Sequence, residues 1–207
     1  QDVPRAIDLI DAVGSLSTLA ADECNPTELQ ELQAIYVIGD MFTAFMHPFI
    51  QPAWSLSEQI TALSKYAHMA CALFREFRVN FMPYQLYGDT QTTVKNILFC
   101  VAKQQEMDGD KPFYIFWAGD DRLEVLFGLT RMQGGHNPNF SFKQLLDRLA
   151  AAVDIGAVFA RHPELDQGHR RIKVTRTEHA DHLNPESWLG DVTANSVNLT
   201  EAWVRGR

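Results

Sequence analysis

Asp120, Asp121 and Glu124 set three carboxylates within five residues, directly after the aromatic run from Phe113 to Trp117 and the glycine at 119. Carboxylate oxygens suit hard divalent cations such as Mg²⁺ and Mn²⁺, and two such ions about 3.5 to 4 Å apart drive an in-line phosphoryl displacement. In the first turn of a helix the same residues are favoured by capping and by the dipole alone, with no metal, and charged first turns are far commoner than metal sites. A second group, His162, Asp166, His169, His179, Asp181 and His182, has the residue types of a zinc or iron site. Its spacing fits no helical HExxH pattern, so it reads as exposed polar loop. A third, Arg161, Arg170, Arg171, Lys173 and Arg176, sets five basic residues against two acidic ones in "RHPELDQGHRRIKVTR". It is the one stretch able to touch phosphate; judged alone, it reads as a solvated loop.

The elements that must position these groups are mostly helices. Asn25 and Pro26 open a helix with Leu29, Leu32 and Tyr36 on one face, stopping near His47-Pro48. Ser55 and Glu58 form a capping box ahead of Leu56, Ile60, Leu63, Ala67, Ala70, Phe74 and Phe77, spaced by threes and fours. His68 lies beside that stripe and reads as a satisfied structural histidine. From Tyr84 the pattern is a short extended piece, a turn at Gly88-Asp89 and a helix with Val94, Ile97, Leu98 and Val101 inward. Phe113 to Trp117, bounded by Pro112 and Gly119, reads as a buried strand. It feeds a helix carrying Leu123, Leu126 and Phe127 that ends at Gly134-Gly135. Ser141 and Gln144 box a further helix, "RIKVTR" alternates like an edge strand, and the polar tail packs back through Trp188 and Trp203. The expected fold class is mainly α with a few strands (α+β): a mainly helical region over residues 1–110, then a strand-helix portion over 111–207 with an irregular tail.

Composition bounds the rest. With 207 residues, 46% of them apolar, the chain can bury one sizeable core or two small ones. Cys24, Cys71 and Cys100 are odd in number and show no CxxC spacing, so reduced thiols are expected. No apolar run has the length of a membrane span, and "QDVPRAIDLIDAVG" lacks the regions of a signal peptide. An intracellular protein without a membrane partner is expected, and the opening Gln1 reads as a longer polypeptide trimmed. Residues 1–110 carry 6 Lys+Arg against 14 Asp+Glu, a net of −8, while residues 111–207 balance at 12 against 12.

"GDDRLEVLFGLTRMQGGHNPNFSFKQLLDRL" resembles a segment of P-element and THAP-type transposases, in which a Leu-Glu pair precedes an aromatic residue, a basic residue, paired glycines and an asparagine. The matching positions are Leu123, Glu124, Phe127, Arg131, Gly134, Gly135 and Asn137. "QLYGDTQTTVKN", "HPELDQGHRR" and "DHLNPESW" are similar to transposon-derived open reading frames of mushroom-forming fungi. The resemblance implies the C-terminal catalytic region of a DDE-type transposase, with an RNase H-like fold in which two strand-borne aspartates and a helical glutamate hold Mg²⁺ or Mn²⁺. Glu124 would be the third acidic ligand, with Asp121 beside it. In an arrangement with a helical insertion, residues 1–110 are mainly that insertion and the aspartates lie outside the chain. In a compact arrangement, Asp89, thirty-five residues before Glu124, supplies the second ligand and Asp40 the first.

The insertion arrangement is preferred, because "MFTAFMHPFIQPAW" with its two prolines makes a poor hairpin. The expected function is a transposase region or remnant, inactive as an isolated chain. The alternative is a non-catalytic domesticated module that binds protein or DNA. Transposon-end DNA is the expected partner, in the nucleus, with self-association possible and no small-molecule substrate evident. DNA contacts would run through Arg161, Arg170, Arg171, Lys173 and Arg176.

Overall fold

The computed structural model describes residues 3–15, 25–119, 121–133, 139–162, 165 and 185–207. Its helices are α1 (Val3–Ser15), α2 (Pro26–Ile50), α3 (Leu56–Phe77), α4 (Tyr84–Asp108), α5 (Asp121–Met132), α6 (Phe142–Arg161) and α7 (Leu199–Arg205). The chain divides into two compact units, residues 1–116 with 177–207 and residues 117–176. The second is thus an excursion from the first in sequence.

The first unit is built on α3. Its start is fixed by the capping box: the Glu58 N–H donates to Ser55 Oγ at 3.3 Å and the Ser55 N–H to Glu58 Oε2 at 2.7 Å. The ridge of Leu56, Ile60, Leu63, Ala67, Ala70 and Phe74 is buried against the neighbouring helices. Asn25 caps α2 in the same way, with Glu28 as its reciprocal partner. α2 runs through Pro48 to Ile50, beyond the stop expected near His47-Pro48. A proline this close to a helix end forfeits one hydrogen bond of the last turn, and Pro48 is itself buried.

Two expected extended segments are corrected. The piece at Tyr84 and the turn at Gly88-Asp89 are continuous α4. Tyr87 lies flat on Phe74, ring centroids 4.0 Å apart, and Tyr84 meets the same ring edge-on at 5.3 Å. That packing outweighs the roughly 1 kcal/mol that Gly88 costs in a helix. Phe113 to Trp117 is not a strand: Ile115–Ala118 coils into a 3₁₀ turn with Ile115 fully buried. Strand propensity expresses itself only beside another strand, and the chain alongside makes a single bridge, Pro112 with Thr193. No strand or sheet exists among the described residues, so the α+β class and the part RNase H-like fold are overturned in favour of an all-α chain. The expected edge strand "RIKVTR" lies outside the described residues.

The C-terminal segment works as a strap across the first unit. Leu189 and Gly190 donate their N–H groups to the Pro52 carbonyl, and the Leu56 N–H, an open donor at the start of α3, finds Asp191 O at 2.8 Å. Further on, Phe113 N–H donates to Val192 O at 2.8 Å, Ala194 N–H to Lys111 O, and Asn195 N–H to Gly109 O. Gln105 Nε2 donates to both Ala194 O and Val197 O, at 2.8 and 2.9 Å. Trp188 stacks on Phe116, and Trp203 lies 4.9 Å from the His68 ring. Ser64 Oγ donates to Trp203 O at 2.6 Å.

Glu58 holds the start of α3, and Asp191 joins the strap to it through its backbone carbonyl. Side-chain and backbone hydrogen bonds from Ser55 hold the Glu58 carboxyl below its ordinary range. The Thr193 N–H, followed by the Thr193 and Ser196 hydroxyls, does the same for Asp191. A carboxyl depressed on folding stabilises above its unfolded pKa, and that contribution disappears as pH falls through the folded value. The urea-midpoint difference between the native chain and a Glu58→Gln/Asp191→Asn variant is therefore expected to be constant from about pH 7 to 5. It should shrink below about pH 4.

In the second unit, Ser141 caps α6 with Gln144 as its reciprocal partner. α5 packs on α6 around a hollow of about 430 Å³ lined by Phe127, Thr130, Phe140, Leu145 and Leu149. Arg148 lies over the Phe140 ring at 4.6 Å.

Candidate functional site

The backbone places Asp121 first and Glu124 fourth in α5, the first turn that the carboxylate pattern requires. Their side chains, and all of Asp120, lie outside the described residues. The strand that was to stand beside them is the 3₁₀ turn at Ile115–Ala118. Asp40 and Asp89 belong to the first unit. Asp40 sits on α2 with its Oδ1 2.6 Å from Lys65 Nζ, so its charge is already engaged. Asp89 is exposed in the second turn of α4, and its carbonyl accepts from the Thr93 hydroxyl at 2.9 Å. Both expected strand-borne ligands therefore stand on helices. Among the described residues no group of three or more His, Cys, Asp or Glu is placed to hold a metal ion such as Mg²⁺ or Mn²⁺.

Of the expected DNA contacts, Arg161 is exposed at the end of α6, where its Nε donates to Ala157 O at 3.1 Å. Arg170, Arg171, Lys173 and Arg176 lie outside the described residues, as do Asp166, His169, His179, Asp181 and His182. His162 is the C-cap of α6, its N–H donating to Val158 O.

Sequence reading missed two hollows formed by described residues of the first unit. One, about 570 Å³, lies between α1 and α2 and is lined by Asp11, Tyr36, Asp40, Thr43 and His47. There His47 Nε2 is 3.4 Å from Asp11 Oδ1, and its ring meets Trp54 edge-on at 5.5 Å. The other, about 780 Å³, is an open groove along the outer side of α3 beside the end of α7. Trp54, Ala62, Met69 and Ala72 give it an apolar floor; Lys65, Arg205 and Arg207 bring cations, against Glu58.

Local geometry explains that rim. Gly206 is pressed flat on α3, where a Cβ would overlap the Thr61 carbonyl, so the two arginines flank the helix at close range. Arg205 pairs with Glu201 one turn earlier, and the His68 ring is turned by a contact of its Nδ1 with Ser64 O at 2.8 Å. The signal was present in the sequence as a second three-four spacing, Glu58, Ala62, Lys65, Met69 and Ala72, opposite the buried ridge. Only the structure shows the chain's distant arginines beside it.

Comparison with protein-family models, with curated proteins and with solved structures finds no match to this chain.

Proposed function

We propose that this chain is a helical piece or remnant of a DNA transposase that does not cleave DNA by itself. The resemblance of Leu123, Glu124, Phe127, Arg131 and the glycines that follow supports the origin. The observation that carries the lack of cleavage is the state of Asp40 and Asp89: one is ion-paired to Lys65, the other exposed on a helix face. Two-metal phosphoryl transfer needs several carboxylates converging on both ions, and Asp121 and Glu124 share one helix start, the same side of any such site. On this reading the remaining ligands come from another segment. DNA contact at transposon ends runs weakly through Arg161, Arg170, Arg171, Lys173 and Arg176 and weakens with salt as counterions are released. A nuclear location follows from that partner.

The test is incubation of the chain with a labelled transposon-end duplex and Mg²⁺ or Mn²⁺. No nicking is expected. Metal-dependent nicking abolished by both Asp89→Asn and Glu124→Gln would replace this reading with a compact Asp40, Asp89, Glu124 site. A second reading, a domesticated module working by binding alone, is favoured by the groove on α3.

A further inference from the structure

We infer that the hollow between α5 and α6 binds a small aromatic carboxylate. The inference rests on the lining of that hollow alone and is independent of a transposon origin.

Shape sets the size of the ligand. At about 430 Å³ the hollow falls within the range of small-molecule sites. Its described lining runs from Phe127 to Arg131 on α5 and from Leu145 to Leu149 on α6, one turn of each helix, about 6 Å at 1.5 Å per residue. A space of that volume over so short a span is broad rather than long. A long acyl chain outruns it, whereas a flat ring system fits. Phe127 and Phe140 offer rings against which such a ligand stacks, and Leu145 and Leu149 add aliphatic contact.

Charge selects the polar group. Thr130 is buried in the lining, but its hydroxyl already donates to Leu126 O at 2.7 Å and has no second proton to give. Arg131 lines the same hollow, exposed in the last turn of α5, and makes no ion pair with a described side chain. No carboxylate stands among the described lining residues. At about 100° per residue, Asp147 and Asp154 fall on the side of α6 away from Leu145 and Leu149. Glu124 lies seven residues before Arg131, about 10 Å along α5. The last turn of α5 and the Phe140 that precedes α6 border one hollow, so the opposed dipoles of the two helix ends offset each other there. Residues 117–176 carry nine Lys+Arg against seven Asp+Glu, so the second unit as a whole does not repel an anion. A ring in the hollow with its carboxylate on the exposed guanidinium answers both the apolar lining and the open cation. A neutral ligand leaves that cation unanswered, and a cationic one is repelled by it.

The test titrates the full chain with naphthoate, and with naphthamide as the neutral molecule of the same shape, followed by ligand-observed NMR. Naphthoate is expected to bind with a dissociation constant of about 1 mM or tighter, and naphthamide about fivefold more weakly. Arg131→Gln should weaken naphthoate about fivefold and leave naphthamide unchanged, a difference that loss of folding would not produce. Phe127→Ala, at a half-exposed ring, should weaken both ligands severalfold without changing their ratio, with an unchanged circular dichroism spectrum. No binding of naphthoate, equal affinity for naphthamide, or naphthoate affinity unchanged in Arg131→Gln or in Phe127→Ala would each overturn the inference. Tighter binding of decanoate than of naphthoate would also overturn it, assigning the hollow to acyl chains.

Discussion

Replacing Gly190 with valine is expected to destabilise the first unit by about 3 kcal/mol. A Cβ at that position would overlap the carbonyl of Trp54 and crowd the Ser55 nitrogen, which are backbone atoms that cannot swing aside. The strap would have to lift, and with it would go the hydrogen bonds of Leu189 and Gly190 to Pro52 O and of Leu56 to Asp191 O. Loss of the last leaves a donor at the start of α3 without its partner. Urea unfolding followed by tryptophan fluorescence reports the change. Gly88→Ala in α4 is the control of opposite sign: a Cβ there meets nothing within 4 Å. It should stabilise by about 0.5 to 1 kcal/mol, the ordinary helix preference for alanine. A Gly190 variant as stable as the native chain would mean that the strap contributes nothing to the joint.

Gln105→Met is expected to cost about 2 kcal/mol. Methionine keeps the volume but cannot donate to the Ala194 and Val197 carbonyls, and both of those residues are buried. A carbonyl stripped of its donor in the interior retains its desolvation penalty, so the loss exceeds that of a surface hydrogen bond. Urea unfolding reports the total. Amide exchange localises it, because the Ala194 and Asn195 N–H groups, bonded to Lys111 O and Gly109 O, should lose protection first. Full protection in the variant would show that the backbone strip holds without the glutamine.

The legible parts of the fold were those with local causes. Asn25 announces a helix with the proline that follows it, Ser55 and Ser141 each announce one through a residue three positions on, and all three caps are formed. What failed depended on distant partners. Phe113 to Trp117 has strand-forming residues, but its neighbour is a strap some eighty residues later that offers one bridge rather than a ladder. Gly88-Asp89 looks like a turn until Tyr87 is seen stacked on Phe74 of the preceding helix. For the candidate site the sequence placed Glu124 in a helical first turn, which the backbone shows. It could not show that Asp40 would be taken by Lys65, a partner one helix away, nor that Arg205 and Arg207 would border α3. Charge pairing across helices leaves no periodic trace in a chain.

The strap also imposes an order on synthesis. Trp203 bonds a serine 139 residues upstream, so α3 leaves the ribosome well before the segment that satisfies its first donor and covers its flank. At about 5 to 20 residues per second the wait is roughly 7 to 28 s. During it the helices of residues 3–108 have no lock, while residues 117–176, contiguous in the chain, can be made and folded in between. Completion of the first body therefore waits on its last segment, and the nascent chain carries an uncovered α3 flank for that interval.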